Sequence, residues 1–270
     1  MKFSVLMSIY HKEKAEYFHR AIQSIWDEQT VKPNEIILVQ DGKLTDELYD
    51  AISRWQEKLG NTFKIIPLEN NVGLGDALNI GIKECSYELV ARMDTDDICT
   101  KDRFEKQLKV FKNSDIDICS SWVSEFDNDE TKIVSYRKLP ESHTNIVIFA
   151  KKRCPINHPA VMYKKESVLK AGGYKKMMWF EDYYLWGRML LNGAKFYNIQ
   201  EALVNMRAGY GQLERRSGFT YALSEMTLQK EFLDLGFINY FEFMRNVTIR
   251  FIARVAPKSL VKQIYKVLRG

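Results

Sequence analysis

The sequence predicts an α/β fold, an open sheet flanked by helices and parallel through its first strands. Three observations predict it. Short apolar runs and helix-periodic stretches alternate over the first hundred residues, and such alternation requires right-handed crossovers onto a parallel sheet covered on both faces. Acidic or glycine-rich loops follow successive strands, on the rim where open α/β sheets bind ligands. The 270 residues, 46% apolar and 28% charged, suffice for one large core with an appendage.

Residues 4–9 read as a buried strand, and Phe18, Ala21, Ile22, Ile25 and Trp26 recur at helical spacing after it. Pro33 closes that unit. Residues 35–40 form a second strand ending at Asp41-Gly42, and Leu44, Leu48, Ile52, Trp55 and Leu59 make the next helix face. A third strand, 63–66, leads through the turn-rich loop 69–75 to a helix carrying Ala77, Leu78, Gly81 and Ile82. The Gly73-Leu74-Gly75 element lacks the third glycine of a dinucleotide fingerprint and follows the wrong strand for one.

The fourth strand, 87–97, ends in Asp94, Asp96 and Asp97. On an extended backbone Asp94 and Asp96 share a face, and a turn there points Asp97 elsewhere. Clustered hard oxygens suit Mg²⁺ or Mn²⁺, which take one or two carboxylates and complete their shell with water and phosphate. The competing role is that Asp96 or Asp97 caps the helix beginning near Lys101. Asp41, likewise, is either a rim ligand or a turn residue before Gly42.

Strict alternation stops after the acids. Residues 116–126 and 132–136 predict a hairpin turning through 127–130, followed by a helix over 141–152. In the rigid loop 154–159, with its two prolines, His158 is expected to hold the loop by hydrogen bonds. Glu181 and Asp182 open a helix with Leu185, Trp186, Met189 and Leu190 on its apolar face. Two aromatics precede the acid pair and two follow it, a wall suited to a sugar face and to raising a carboxylate's basicity. Helix-dipole compensation is the competing role. Two β segments, 195–199 and 202–206, precede a loop whose Arg207, Arg215 and Arg216 suit a diphosphate clamp or a solvated turn.

Cys85, Cys99, Cys119 and Cys154 show no close pairing, so buried free thiols are expected over disulfides or zinc. The opening residues are too short an apolar run, too soon interrupted by His11 to Lys14, for a signal peptide or a membrane span, so a cytoplasmic protein is expected. Of the net +5, the last 30 residues carry +6, from seven basic residues against Glu242. Apolar positions such as Ile249, Phe251, Leu260, Ile264 and Leu268 interleave with those cations, the pattern of helices lying on an anionic leaflet or capping the domain with a solvated basic face.

In order, the motifs are the opening strand through Tyr10, Asp41-Gly42, Asn71 to Gly73 with Ala77 and Asn79, and Ala91 to Asp97. Asn157 to Pro159, Gly172 to Tyr174, Glu181-Asp182 and Arg207 complete the series. This series resembles the family 2 glycosyltransferases with a GT-A fold, in particular the bacterial enzymes that extend O-antigen or capsule repeat units. The resemblance covers about the first 220 residues and implies an open mixed sheet with 1–220 as the catalytic domain; 221–270 lie outside it, and their basic amphipathic pattern is what predicts a helical appendage that associates with the membrane. It implies a UDP-sugar donor, galactose first and glucose second, with Mn²⁺ or Mg²⁺ as cofactor. The implied acceptor is an undecaprenyl-diphosphate-linked saccharide at the cytoplasmic face of the inner membrane. By that resemblance Asp41 accepts from uracil, Asp94 lies by the ribose and binds metal beside Asp96, and Asp182 is the general base with Glu181 its rival. Ser8, Tyr10, Asn71, Gly73, Arg92, Arg207, Arg215 and Arg216 are the remaining donor-contact candidates. Gln40 stands where the family often carries a first acid.

Two other functions fit less well. A sugar nucleotidyltransferase wants a glycine-rich basic loop after the first strand, and residues 10–15 contain no glycine. A basic membrane- or RNA-binding module without catalysis needs basic and aromatic residues spread over the domain face, whereas the excess sits in the tail, so no nucleic-acid partner is expected.

Overall fold

The computed structural model describes residues 1–207 and 218–255. Its first half follows the predicted alternation: β1 (Phe3–Ile9), α1 (Ala15–Trp26), β2 (Glu35–Gln40), α2 (Asp46–Leu59), β3 (Phe63–Pro67), α3 (Leu74–Glu84) and β4 (Leu89–Arg92). The second half runs β5 (Ile98–Cys99), α4 (Arg103–Asn113), β6 (Ile118–Phe126), β7 (Ile133–Arg137), α5 (His143–Ala150), β8 (Met162–Lys164) and α6 (Lys165–Lys170). It continues with α7 (Glu181–Leu191), β9 (Phe196–Arg207), α8 (Phe219–Asp234) and α9 (Tyr240–Val255).

The strands form one sheet in the order β3-β2-β1-β4-β8-β6-β9-β5, with β7 on β6. β1 to β4 are parallel, whereas β8 is antiparallel to both β4 and β6, so the sheet is mixed. Period-two alternation divides the core. Val5, Met7, Ile36 and Leu38 pack under α1 and α2, while Leu6, Ile37 and Val39 pack on the opposite face under α3 and α7.

Two expectations are corrected here. The predicted segments 195–199 and 202–206 are one strand, β9, because its pairing with β6 absorbs Gln200 and Glu201 as a register shift at Trp122. Asp96 and Asp97 cap no helix, since α4 begins at Arg103 with Asp102 at the N-cap position. The hairpin over β6 and β7 stands as predicted.

A third apolar cluster joins α7 to α8, with Phe232 against Tyr183 and Tyr184. Only glycine at 187 permits that approach, because a Cβ there would lie 2.4 Å from the Phe232 ring. All four cysteines are free thiols, with Cys85, Cys99 and Cys119 buried and Cys154 half-buried.

Candidate active site

Parallel pairing sets the loops after β1, β2 and β4 on one rim. Ile9 pairs with Gln40, while β4 stops level with Leu6, so the acids that follow β4 run past the end of β1. β5 then folds back along β9, which brings Asp97 to Arg207, whose backbone N–H donates to Asp97 Oδ1 at 2.9 Å. The turn therefore draws Asp97 inward, contrary to the expectation that it points elsewhere. Ligand oxygens of Asp94, Asp96 and Asp97 all lie within 4.8 Å of one another. Asp97 is buried and its Oδ2 has no hydrogen-bond partner among the described residues.

Electrostatics in this cluster run against full ionisation. Burial first, then the charge of Asp94, pushes the Asp96 carboxyl up to about 6. Burial, then Asp94 and Asp96, raises Asp97 well above the usual carboxylate range. Crowded carboxylates with an orphaned buried oxygen are the donor set that a hard divalent cation satisfies, so the residues fit Mg²⁺ or Mn²⁺.

Cations brace the cluster from beneath. The Arg92 guanidinium, 3% exposed, pairs with both oxygens of Asp94. Arg103 is wholly buried and donates to the carbonyls of Arg92 (2.7 Å) and Val161 (3.3 Å) and to Gln107 Oε1 (3.1 Å). The Arg207 guanidinium lies 3.8 Å from the Tyr17 ring centre and 4.6 Å from that of Phe126, and its Nε donates to the Asp96 carbonyl at 3.3 Å.

The β2 and β3 loops lock together through Asp41. Its carboxylate accepts from the backbone N–H groups of Val72 (2.6 Å) and Gly73 (3.0 Å), and Asn71 Nδ2 donates to its carbonyl at 3.1 Å. Gly42 permits this: its φ is +85°, and a Cβ would lie 2.7 Å from the Asn71 nitrogen. Ser8 and Tyr10, both half-buried, close the β1 side of the rim.

Glu181 and Asp182 begin α7, as predicted. Asp182 Oδ1 accepts the Tyr183 N–H at 2.7 Å, and the Cys154 thiol lies 3.9 Å from Oδ2. Burial, with a contribution from the charge of Asp182, raises the Glu181 carboxyl. A Cβ at Gly75 would sit 3.5 Å from both the Glu181 Cγ and the Tyr174 Cβ, so the start of α3 abuts the acid pair. Tyr174 is fixed by Asn79, whose amide exchanges hydrogen bonds of 2.7 Å with its backbone, and by His158 Nε2 at 2.8 Å from its hydroxyl. Burial raises the Tyr174 phenol, with the charge of Arg92 opposing and those of Asp182 and Asp94 adding to the rise. Asp41, bonded to Gly73 just before α3, is thereby linked through Gly75 to Glu181 and Tyr174 at the head of α7.

Comparison with known proteins places this arrangement. Residues 4–170 match the family "Glycosyl transferase family 2". The chain is 42% identical over 266 residues to an Escherichia coli UDP-Gal:alpha-D-GlcNAc-diphosphoundecaprenol beta-1,3-galactosyltransferase, covering 98% of this chain and 95% of that one. It is 36% identical over 264 residues to the amylovoran biosynthesis glycosyltransferase AmsE of Erwinia amylovora, covering 98% of each. The chain belongs to glycosyl transferase family 2. A crystal structure of residues 1–349 of S. aureus TarS with UDP-GlcNAc superposes with a TM-score of 0.69 at 17% identity, over 94% of this chain and 73% of that one, and the fold is GT-A.

In this transferase three sequence-derived expectations need adjustment or fall outside view. Arg92, expected at the diphosphate, is buried and paired with Asp94, so its charge acts through Asp94. Arg207 holds the acidic loop between two rings, with its main chain on Asp97 and its side chain on Asp96. Arg215 and Arg216, and the basic positions beyond 255, lie outside the described residues. Tyr174 and Asp97 take positions that motif spacing alone did not assign. His158 acts as expected, tying its loop to Tyr174, and burial near Arg92 keeps its imidazole neutral well below the ordinary range.

Proposed function

We propose that this chain transfers galactose, with glucose the second choice, from a UDP-sugar to a saccharide carried on a lipid diphosphate, as a step in bacterial O-antigen or capsule repeat-unit assembly. The observation that carries it is the cluster of Asp94, Asp96 and Asp97 at the end of β4, their ligand oxygens within 4.8 Å of one another. The full-length likeness to the E. coli galactosyltransferase supports the choice of donor and acceptor.

In this reading Asp41 accepts from the uracil ring; its two backbone N–H bonds use two of a carboxylate's roughly four acceptor positions. Ser8, Tyr10, Asn71 and Gly73 line the nucleoside side, and Asp94 lies by the ribose. Asp96, with Asp94 and the unpartnered oxygen of Asp97, would hold Mn²⁺ or Mg²⁺, which when bound neutralises charge on the leaving diphosphate. Arg207 keeps that cluster in place, and Arg215 and Arg216 are further candidates for the diphosphate. Asp182 accepts the proton of an acceptor hydroxyl while its oxygen bonds to the anomeric carbon and the bond to UDP breaks, so configuration inverts. Glu181 is the rival base.

No helix among the described residues is long and apolar enough to cross a membrane. The reading places the enzyme on the cytoplasmic face, with 1–220 catalytic and 221–270 the attaching appendage. Support comes from α9, which exposes Tyr240, Phe241, Met244 and Ile249 at the head of the basic tail. The test presents UDP-galactose, UDP-glucose and UDP-GlcNAc, with Mn²⁺ or with chelator, to GlcNAc-diphosphate-alkyl acceptor. A β-linked galactosyl product that needs the cation is expected. No transfer from any UDP-sugar, or a retained α linkage, overturns the reading.

A further inference from the structure

A groove beside Trp179 is used by none of these roles. Residues 175–178 and α8 enclose about 560 Å³, and the Ser224 hydroxyl bridges them by donating to the Met178 carbonyl at 2.6 Å. Thr220 and Glu231, both lining the groove, stand about 16 Å apart along α8 at the helical rise of 1.5 Å per residue. Lys175 and Lys176 bring cations to it, and Met178 and Leu223, 58% and 45% exposed, form open apolar walls.

Trp179 follows this loop directly and has a φ of +65°, a left-handed conformation uncommon for a bulky residue and found among the described residues at no other non-glycine. Such strain persists where the surroundings impose it. The turn lays the indole on the Tyr221 ring, 5.1 Å between centres and 28° from parallel, two residues before Glu181. Tyr221 beneath it is buried, whereas Trp179 is 42% exposed. Of the four aromatics around the acid pair, Phe180, Tyr183 and Tyr184 are buried; Trp179 alone offers an open ring beside the candidate base.

We infer that Trp179 and this groove form the acceptor subsite, the indole carrying the acceptor sugar, Lys175 and Lys176 its diphosphate, and Met178 and Leu223 the first carbons of its lipid. The inference rests on the transfer reading and adds where the acceptor lies. Charge complementarity supports it. Lys176 is 90% exposed and its ion pair with Asp76, at 3.8 Å, is a surface contact that a diphosphate displaces at little cost. Glu231, the acid of the groove, already accepts from the Tyr184 hydroxyl at 2.7 Å.

The test is calorimetric titration, without donor, of GlcNAc-diphosphate-alkyl and of a neutral GlcNAc-alkyl lacking the diphosphate. Trp179→Ala is expected to weaken both probes about tenfold, and Trp179→Phe to restore most of that affinity, which separates a stacking role from misfolding. The Lys175→Ala/Lys176→Ala double variant is expected to weaken the charged probe about tenfold, leave the neutral probe within about twofold, and flatten the salt dependence. Wild-type failure to bind the charged probe, wild-type-like binding by Trp179→Ala, or equal losses for both probes in the lysine variant each overturn the inference. A wild type that binds the probe yet transfers no sugar to it counts against the transfer reading instead.

Discussion

Replacing Gly42 with alanine tests whether the β2 and β3 loops form one donor-binding unit. A Cβ at this position would stand 2.7 Å from the Asn71 nitrogen and 3.2 Å from the Asn70 carbonyl carbon, and backbone atoms have no rotamer by which to retreat. The loop must move as a body, lifting the Val72 and Gly73 amides from the Asp41 carboxylate. Holding an L-residue at φ +85° costs roughly 1 kcal/mol. Two amide–carboxylate bonds at a partly exposed loop add roughly 1 kcal/mol each. The expected loss is roughly 3 kcal/mol, or about 6–12 °C in melting temperature for a chain of this size. Gly193→Ala is the control: its φ is +82° but nothing lies within 4 Å of the added methyl, so only the conformational cost of roughly 1 kcal/mol is expected. Urea unfolding of both variants supplies the comparison, and calorimetry should show UDP affinity reduced about tenfold in Gly42→Ala alone. Equal destabilisation of the two variants, or unchanged UDP affinity in Gly42→Ala, would refute the reasoning.

Arg103→Met should cost roughly 2–5 kcal/mol in urea unfolding, because it strips a buried cation from the Arg92 carbonyl and from Gln107; a loss under about 1 kcal/mol contradicts a bracing role. His158 is held neutral in the fold, so the unfolded chain binds the extra proton once pH falls below about 6.5. Stability should therefore drop as pH falls through that value and recover above it, and His158→Gln should flatten the dependence; an unaltered slope in the variant contradicts the assignment.

The elements that sequence spacing located best are those whose one buried face repeats. Phe18, Ala21, Ile22 and Ile25 of α1, and Leu48, Ile52, Trp55 and Leu59 of α2, are all buried. β8 escaped such reading because three residues are too few to display a period, and its pairing between β4 and β6 is wholly long-range. β9 was divided because Gln200 and Glu201 interrupt an otherwise apolar run, and only the partner strand reveals that a register shift absorbs them. At the site, spacing identified Asp94 and Asp96 as neighbours, but Asp97 joins them through β5 returning along β9, a contact with Arg207 at a separation of 110 residues. Arg92 reads in sequence as a free cation next to a rim. Its burial follows from the β4 alternation, which turns its side chain to the face of Val90 and Tyr174, beside Asp94.

The central claim is that the three aspartates after β4 hold a divalent cation against the donor's diphosphate. Its most direct test is calorimetric binding of UDP to wild type and to Asp96→Asn, with Mn²⁺ and with chelator. The account predicts that Mn²⁺ tightens UDP binding at least about tenfold in wild type and has little effect in the variant. UDP bound equally well by wild type in chelator, or a Mn²⁺ enhancement that survives in Asp96→Asn, would contradict it.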